Sequence, residues 1–476
     1  MALSLNARSP FEYFDANQLQ QLHTAVEEIL SVTGCVVHFE PAIEILKNAG
    51  ARVDNGKVFL SKEMIAKAIA TSPSSVTIYD RDGKSAMVLE GRNAYYGTGS
   101  DCNNILDTFT GEYRPFTEQD IIDAVRLCEA LPNVDFVMSM GLLRSASPET
   151  QYQVQYADML KYSKKPQVII AANRQCLDDI VDIAAAVCGG RDELKNKPRF
   201  VLYDEPTSPL VHSEEAMDKL IYAAENLVPT NYAPGMMAGA TGPITPAGAV
   251  ALAAAEAVFG LVLHQAVNPG APYVFGAGMS NIDMHSMQPS YASPEAMMTQ
   301  AGICQLGREL YNLPTWGFAG CCASKVADTQ AINEASTYIW VAGLTGSNLN
   351  HDLGYLEFGL TYSFDLLVMC DESVSQIRRM MDGIVLSRET MAVDTIHSVG
   401  PGGSFLDSDH TLDHYMENWM PGISDRNAFD RWKELGATTM EERVKVKIKS
   451  ILSAPAVPFD KSEAVDAVLA KIMNRG

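Results

Sequence analysis

Residues 231–276 read NYAPGMMAGATGPITPAGAVALAAAEAVFGLVLHQAVNPGAPYVFG. The run from Asn231 to Met237 has strand length and apolar content, and a Gly/Ala/Thr/Pro turn follows it. Thr245-Pro246 then places a capping hydroxyl before a proline suited to the first helical position. A helix of small residues runs on from there, and Pro272 to Gly276 is a second apolar strand. Strand, helix and parallel strand make one βαβ unit, with small side chains suited to tight packing of helix on sheet. The same alternation extends in both directions. Strand-length runs precede it at Val134 to Leu143, Gln167 to Ala172 and Arg199 to Tyr203. Others follow at Thr315 to Ala319, Ser347 to Asn350 and Asp365 to Cys370. Ser147-Pro148, Ser213-Glu214-Glu215 and Ser293-Pro294 mark further helix starts. Eight such units over roughly 270 residues predict an α/β fold, a (β/α)₈ TIM barrel. A doubly wound sheet also alternates, but no glycine-rich phosphate loop follows the first strand.

Around the barrel the pattern changes. Residues 1–130 predict a mixed α+β extension, with helices at Asn17 to Thr33, Pro41 to Ala49 and Lys62 to Ala70. Short strands are expected at Lys57 to Leu60 and Val76 to Tyr79. Tyr95 to Thr117 reads as ordered loops and a hairpin with Thr110-Gly111 at its tip, the kind of segment that carries function. Thr117 to Asp120 resembles a capping box. The barrel domain is expected over 131–395. A glycine-rich link and a helical tail occupy 396–476, with helices at Met440 to Leu452 and Lys461 to Met473.

With 476 residues, 47% of them apolar, the chain can bury a sizeable core. A net charge of −22 argues against nucleic acid or an anionic membrane as partner. Nine cysteines fall without CxxC or Cys/His ligand spacing, which suits a reducing, cytoplasmic location and predicts no metal site. No apolar run is read as reaching transmembrane length. The N-terminus, MALSLNARSPFEYFD, lacks the pattern of a signal peptide.

Barrel sites lie at the C-terminal ends of strands. Here those ends carry Arg174, Glu205, Met236, Met237, Trp316 and Phe318, followed by the stretch Gly346 to Glu372. That stretch sets His351, Asp352, Tyr355, Glu357, Phe358 and Tyr362 within twelve positions. Ring faces attract a cation, and a carboxylate neutralises it once its water is stripped, so aromatics beside acids suit a permanently charged ammonium group. The same residues also suit a strand with core aromatics. The carboxylates are scattered rather than closely paired, which gives glycosidase chemistry little support.

Several motifs in order resemble the trimethylamine methyltransferase family, in its branch without pyrrolysine that serves glycine betaine, proline betaine and carnitine. They are Tyr96-Gly97-Thr98-Gly99-Ser100-Asp101, Gly239-Ala240-Thr241-Gly242-Pro243, Val267 to Pro272, Ser324 to Ala331 and Leu356-Glu357-Phe358-Gly359. The resemblance implies a barrel, a homo-oligomer, and transfer of a methyl group from a quaternary amine to the corrinoid of a partner protein. Cob(I)alamin is thus a methyl acceptor brought by that cognate corrinoid protein, which docks transiently at the barrel mouth, and not a cofactor bound permanently here. Trimethylamine enzymes carry pyrrolysine near the position His351 takes, a departure that counts against trimethylamine as substrate. A quaternary ammonium already leaves as a neutral amine, so the protein need only cage it, dry it and aim one methyl. Under the resemblance Tyr96, Trp316, Tyr355 and Phe358 form the cage, with Asp101 or Glu357 supplying charge, and Glu205 is also expected among the substrate-binding residues. His351 or Arg174 holds a betaine carboxylate, and His351 and Glu357 are the expected catalytic residues. A compact betaine such as glycine betaine is the expected substrate. The competing readings are a metal-dependent lyase or hydrolase on the same barrel and a non-catalytic betaine-binding subunit.

Overall fold

The computed structural model describes residues 11–475, so the first ten, which begin the stretch read for a signal peptide, lie outside the described residues. The alternation folds into a curled, all-parallel sheet of seven strands. In chain order these are β1 (Tyr95–Tyr96), β2 (Gln167–Ile169), β3 (Phe200–Asp204), β4 (Thr230–Tyr232), β5 (Tyr273–Gly276), β6 (Thr315–Phe318) and β7 (Leu349–His351). Across the sheet they run β1-β7-β6-β5-β4-β3-β2. Both edges reach the same extended segment: Gly97 bridges to Phe136, and Val137 bridges to Gln167. These are single parallel bridges, so the architecture is barrel-like without the continuous eight-stranded ladder expected from the sequence.

Three of the expected units differ. Val134 to Leu143, expected as the first barrel strand, forms only isolated bridges at Phe136, Val137 and Gly141. Asp365 to Cys370, expected as the last strand, forms the first turns of a helix capped by the Ser363 hydroxyl. Tyr95–Tyr96, expected in the N-terminal extension, instead pairs with β7 as an edge of the barrel sheet, so this strand lies ahead of the expected division at 130.

The sheet interior is filled by one inward residue from strand after strand: Tyr95, Val168, Val201, Val274, Trp316 and Leu349. The hairpin Val76–Tyr79/Ser85–Leu89 adds Val76, Ile78, Met87 and Leu89 to the same cluster. The Val88 N–H donates to the Tyr95 hydroxyl at 2.9 Å, which ties the hairpin to the sheet.

Helices enclose the sheet: α1 (Ala16–Glu28), α2 (Glu40–Asn48), α3 (Lys62–Thr71), α4 (Glu118–Ala130), α5 (Gln151–Tyr162), α6 (Arg174–Cys188), α7 (Arg191–Asn196), α8 (Glu214–Asn226), α9 (Pro246–Val267), α10 (Pro294–Gln305), α11 (Thr329–Thr345) and α12 (Phe364–Met381). The expected capping box at Thr117 and Asp120 opens α4. Helix α9 is long and apolar enough to cross a membrane, which corrects the expectation that no segment reaches that length. It packs against α1, α2 and α3 on one side and α8 and α10 on others, so it is apolar all round because it is enclosed all round. Each fully buried Val, Leu or Phe there contributes about 1.5–3 kcal/mol.

At the C-terminus, the helix Met440–Ser453 packs on α12 and α4, and Ser462–Met473 packs on α6 and α5. Val444, Ile448, Val465 and Ile472 are the buried side chains that hold them. Between α12 and these helices, residues 382–439 bury only Ile423.

Candidate functional site

The mouth of the curled sheet is covered on one side by a small four-stranded sheet. One half is the expected hairpin, Asn104–Leu106 with Tyr113–Pro115. The other is Tyr355–Leu356 with Thr361–Tyr362, which continues directly from β7 and pairs in parallel with Asn104–Leu106. Between β7 and Thr361, Asp352, Gly354, Glu357, Phe358 and Gly359 all have positive φ. Non-glycine residues in that region each cost on the order of 1–3 kcal/mol. Backbone bonds from Glu357 N–H to the Ser324 carbonyl (2.8 Å) and from Phe358 N–H to the Cys322 carbonyl (3.1 Å) hold the loop in place.

Beneath this cover lies a cavity of about 410 Å³. Its aromatic wall is built in layers. Trp316, buried in the sheet interior, lies under the His351 ring at 4.4 Å. Phe318 stacks on His351 at 4.4 Å and 22°, Tyr203 lies 5.2 Å from Trp316, and Tyr291 meets Phe318 edge-on at 5.5 Å. The Tyr355 hydroxyl donates to the Ser100 carbonyl and the Tyr203 hydroxyl to Glu205. Glycines keep the space open. A methyl on Gly278 would sit 3.1 Å from the Phe318 ring, and one on Gly235 would sit 3.5 Å from the Glu205 carboxylate.

Five carboxyl groups, Asp101, Asp204, Glu205, Glu215 and Asp352, line the same space. Burial, and then the Glu205 charge, push the Asp101 carboxyl up to about 7. Asp101 Oδ1 has no hydrogen-bond partner, and Oδ2 meets only the Tyr152 hydroxyl at 3.5 Å. Burial and the Glu205 charge raise Asp352 well above the carboxylate range. Burial raises Glu205 as well, opposed by the bond from Tyr203. His351 is pushed down to about 3 by burial, so its ring is neutral. Its Nδ1 lies 3.0 Å from the Gly317 carbonyl, which assigns the hydrogen to Nδ1. Nε2 then faces the Asp352 carboxyl at 3.4 Å as a neutral acceptor beside a protonated acid. The cavity is therefore aromatic and acidic: Glu205 accepts the Tyr203 hydrogen, and burial favours the protonated forms of Asp101 and Asp352, whose protons an entering cation would displace.

Of the residues singled out in the sequence, Asp101, Glu205, His351, Tyr355 and Phe358 line this cavity together. Trp316 supports it from below through His351. Three others lie elsewhere. Tyr96 points into the layer between sheet and helices, where its hydroxyl donates to the Ile339 carbonyl at 3.1 Å. Arg174 pairs with Asp218 (2.9 Å) and Glu225 (3.0 Å) on the outer side of α8. Glu357 accepts from the Thr361 hydroxyl (2.7 Å) and the Tyr113 hydroxyl (3.3 Å) in the covering sheet.

Phe318 and Asp352, expected at the strand ends, also line the cavity, together with Tyr203, Tyr291 and Lys219, to which the sequence reading assigned no role. Tyr203 and Phe318 are strand-end residues whose inward direction depends on register. Tyr291 and Lys219 arrive from a hairpin and a helix, for which the chain order gives no signal.

Comparison with known proteins agrees with this architecture. The family model for trimethylamine methyltransferase (MTTB) matches residues 3–475. The trimethylamine methyltransferase of Desulfitobacterium hafniense (strain DSM 10664 / DCB-2) is 31% identical over 463 residues, 97% of this chain and 93% of that protein. The glycine betaine methyltransferase of Desulfitobacterium hafniense (strain Y51) is 32% identical over 469 residues, 97% of this chain and 96% of its own length. In fold, the chain matches the crystal structure of the Methanosarcina barkeri monomethylamine methyltransferase with a TM-score of 0.54 at 13% identity, covering 95% of this chain and 91% of that one. A model match across nearly all of the chain and full-length relatives above 30% identity lead to one conclusion: the chain belongs to the trimethylamine methyltransferase family.

Proposed function

We propose that this protein removes a methyl group from a quaternary amine and passes it to the corrinoid of a separate protein. The observation that carries this reading is the cavity, where six rings and five carboxyls converge on a space of about 410 Å³. Such a lining favours a cation stripped of its water, through ring faces and through acids that ionise as the cation enters. Relatives of nearly equal identity are named for trimethylamine and for glycine betaine, so both amine types belong in the test.

The chemistry asks little of acid or base groups. The carbon–nitrogen bond breaks with its electron pair left on nitrogen, and a neutral tertiary amine departs. The reduced corrinoid supplies the electron pair that accepts the methyl. What remains for this chain is to hold the ammonium against Tyr203, Tyr291 and Phe318, balance its charge with Glu205 and Asp101, and exclude water. His351 is a wall of the site rather than a proton donor, because its ring is neutral and its hydrogen is committed to Gly317. The corrinoid protein approaches the mouth left open by the covering sheet.

A homo-oligomer is part of the same reading. It draws support from the segment 382–439, which exposes Ile384, Leu386, Leu406, Leu412, Met416 and Met420.

The test is methyl transfer to cob(I)alamin, free and protein-bound, followed by the absorbance of methylcob(III)alamin across a panel of quaternary amines and trimethylamine. Transfer from a quaternary amine and none from trimethylamine is the expected result. Silence across the panel with a cognate corrinoid protein would end the reading.

A further inference from the structure

Resting on the methyl-transfer reading of the cavity, we propose that Lys219 binds a carboxylate carried by the same substrate, so that the site selects betaine zwitterions over quaternary amines without an acid group. The residues expected to hold such a carboxylate do not serve: Arg174 is paired outside the cavity, and His351 is neutral with its hydrogen on Gly317. Among the described residues that line the cavity, Lys219 is the one remaining cationic side chain.

Its setting leaves it one hand free. The Lys219 ammonium donates to the Ala171 carbonyl at 2.8 Å, just beyond the end of β2. It also meets Asp204 Oδ1 at 2.8 Å, at the end of β3. An ammonium carries three hydrogens, and these two contacts use two of them. The side chain is buried yet lines the cavity, so the third hydrogen has no protein acceptor and is available to a ligand.

The sheet order sets the two poles apart. His351 and Phe318 stand on β7 and β6, while Ala171 and Asp204 stand at the ends of β2 and β3. The strands β5 and β4 lie between the two pairs. Phe318, His351 and Asp352 therefore stand on one side of the mouth, and Lys219 stands on the other among Asp204, Glu205 and Glu215. A carboxylate placed on the β6 and β7 side would meet Asp352 with no cation beside it, so Lys219 is the one counter-charge the cavity lining offers it. A zwitterion of modest length satisfies both poles at once.

The experiment compares kcat/KM for glycine betaine, proline betaine and carnitine with that for choline and tetramethylammonium, using the full chain and a corrinoid acceptor. At least one betaine should exceed choline by about 10- to 100-fold, the usual worth of one charged hydrogen bond. In Lys219→Gln that ratio should collapse toward one, mainly through KM. Because that change strands the buried Asp204 carboxylate, the double variant Asp204→Asn/Lys219→Gln keeps the pair neutral and should show the same loss of preference. A wild type that uses choline as well as every betaine overturns the proposal, as does a variant in which betaine and choline use fall in proportion. If no amine is demethylated at all, the methyl-transfer reading fails instead. Calorimetric binding then decides Lys219 alone: betaine bound tighter than choline, with the difference lost in the double variant, supports it, and equal binding refutes it.

Discussion

Two neighbouring tyrosines show how closely the site depends on single positions. Tyr95 and Tyr96 share a strand, and successive side chains on a strand face opposite ways. Tyr95 enters the sheet interior, and Tyr96 goes to the helix layer against α11. The sequence resemblance draws Tyr96 into the expected cage, yet only the register tells which face each tyrosine takes. The contrast gives a prediction. Tyr291→Ala should raise KM for a quaternary amine about fivefold, the loss of one ring contact of about 1 kcal/mol, with little change in melting temperature. Tyr96→Ala should do the reverse, costing about 3–5 kcal/mol of stability as a core truncation while the folded fraction keeps its KM. Thermal melts beside steady-state kinetics separate the two, and equal effects on KM would contradict the placement.

Asp101 gives a pH signature of the same site. Its carboxyl is held near 7 in the fold, above the ordinary value of 3.8. As pH rises between those values the unfolded chain gives up the proton first, so this group's contribution to stability falls and is least above about pH 7. An ammonium ion favours the ionised form, so substrate affinity should rise as pH passes upward through 7. Asp101→Asn should flatten that KM profile and raise the melting temperature more at about pH 8 than at about pH 5. A variant whose KM keeps the wild-type pH dependence would place the titrating group elsewhere.

At the scale of elements, the sequence pattern is legible where strands are flanked by capped helices. The strands at 273–276 and 315–318 and the helix starts at Ser213 and Ser293 fall where expected. It fails where the window is short. Leu366 to Met369 is apolar with no visible period, and a buried strand and a buried helical turn look alike over four residues. The Ser363 hydroxyl, which caps that helix through the Leu366 N–H at 3.2 Å, was the signal that distinguishes them. Tyr95–Tyr96 fails for the same reason, being a strand of two residues among loops.

The loop after β7 also depends on a partner far away in sequence. A methyl on Gly99 would overlap the Asp352 carboxyl and the Tyr355 ring, so the two loops fit only because position 99 is bare. Gly99→Ala should displace both residues and cut kcat/KM for a quaternary amine at least tenfold. Because the clash lies at the mouth rather than in the sheet, stability should fall by only about 1–3 kcal/mol. Full activity in a folded Gly99→Ala protein would mean that Tyr355 and Asp352 do not shape the site.

For the whole molecule, the balance of buried and exposed surface points beyond one chain. The N-terminal helices and α9 satisfy each other, and the last two helices cover α4, α5, α6 and α12. The segment between them is different. Its helices Val393–Val399, Asp409–His414 and Phe429–Glu434 bury no side chain of their own. Ile384 is 90% exposed and Leu406 82% exposed, in a chain whose net charge of −22 otherwise favours separation. Exposed apolar side chains gathered in one segment mark an interaction face. A corrinoid partner that comes and goes would leave such a face in water between encounters, whereas another copy of this chain would cover it permanently. Light scattering should therefore give a mass that is a multiple of 51.7 kDa. Ile384→Asp combined with Leu406→Asp should lower that mass toward a single chain, leaving the cavity residues in place and transfer to free cob(I)alamin measurable. A wild-type protein that runs as one chain, or a double variant that keeps the wild-type mass, would show that this segment does not hold copies together.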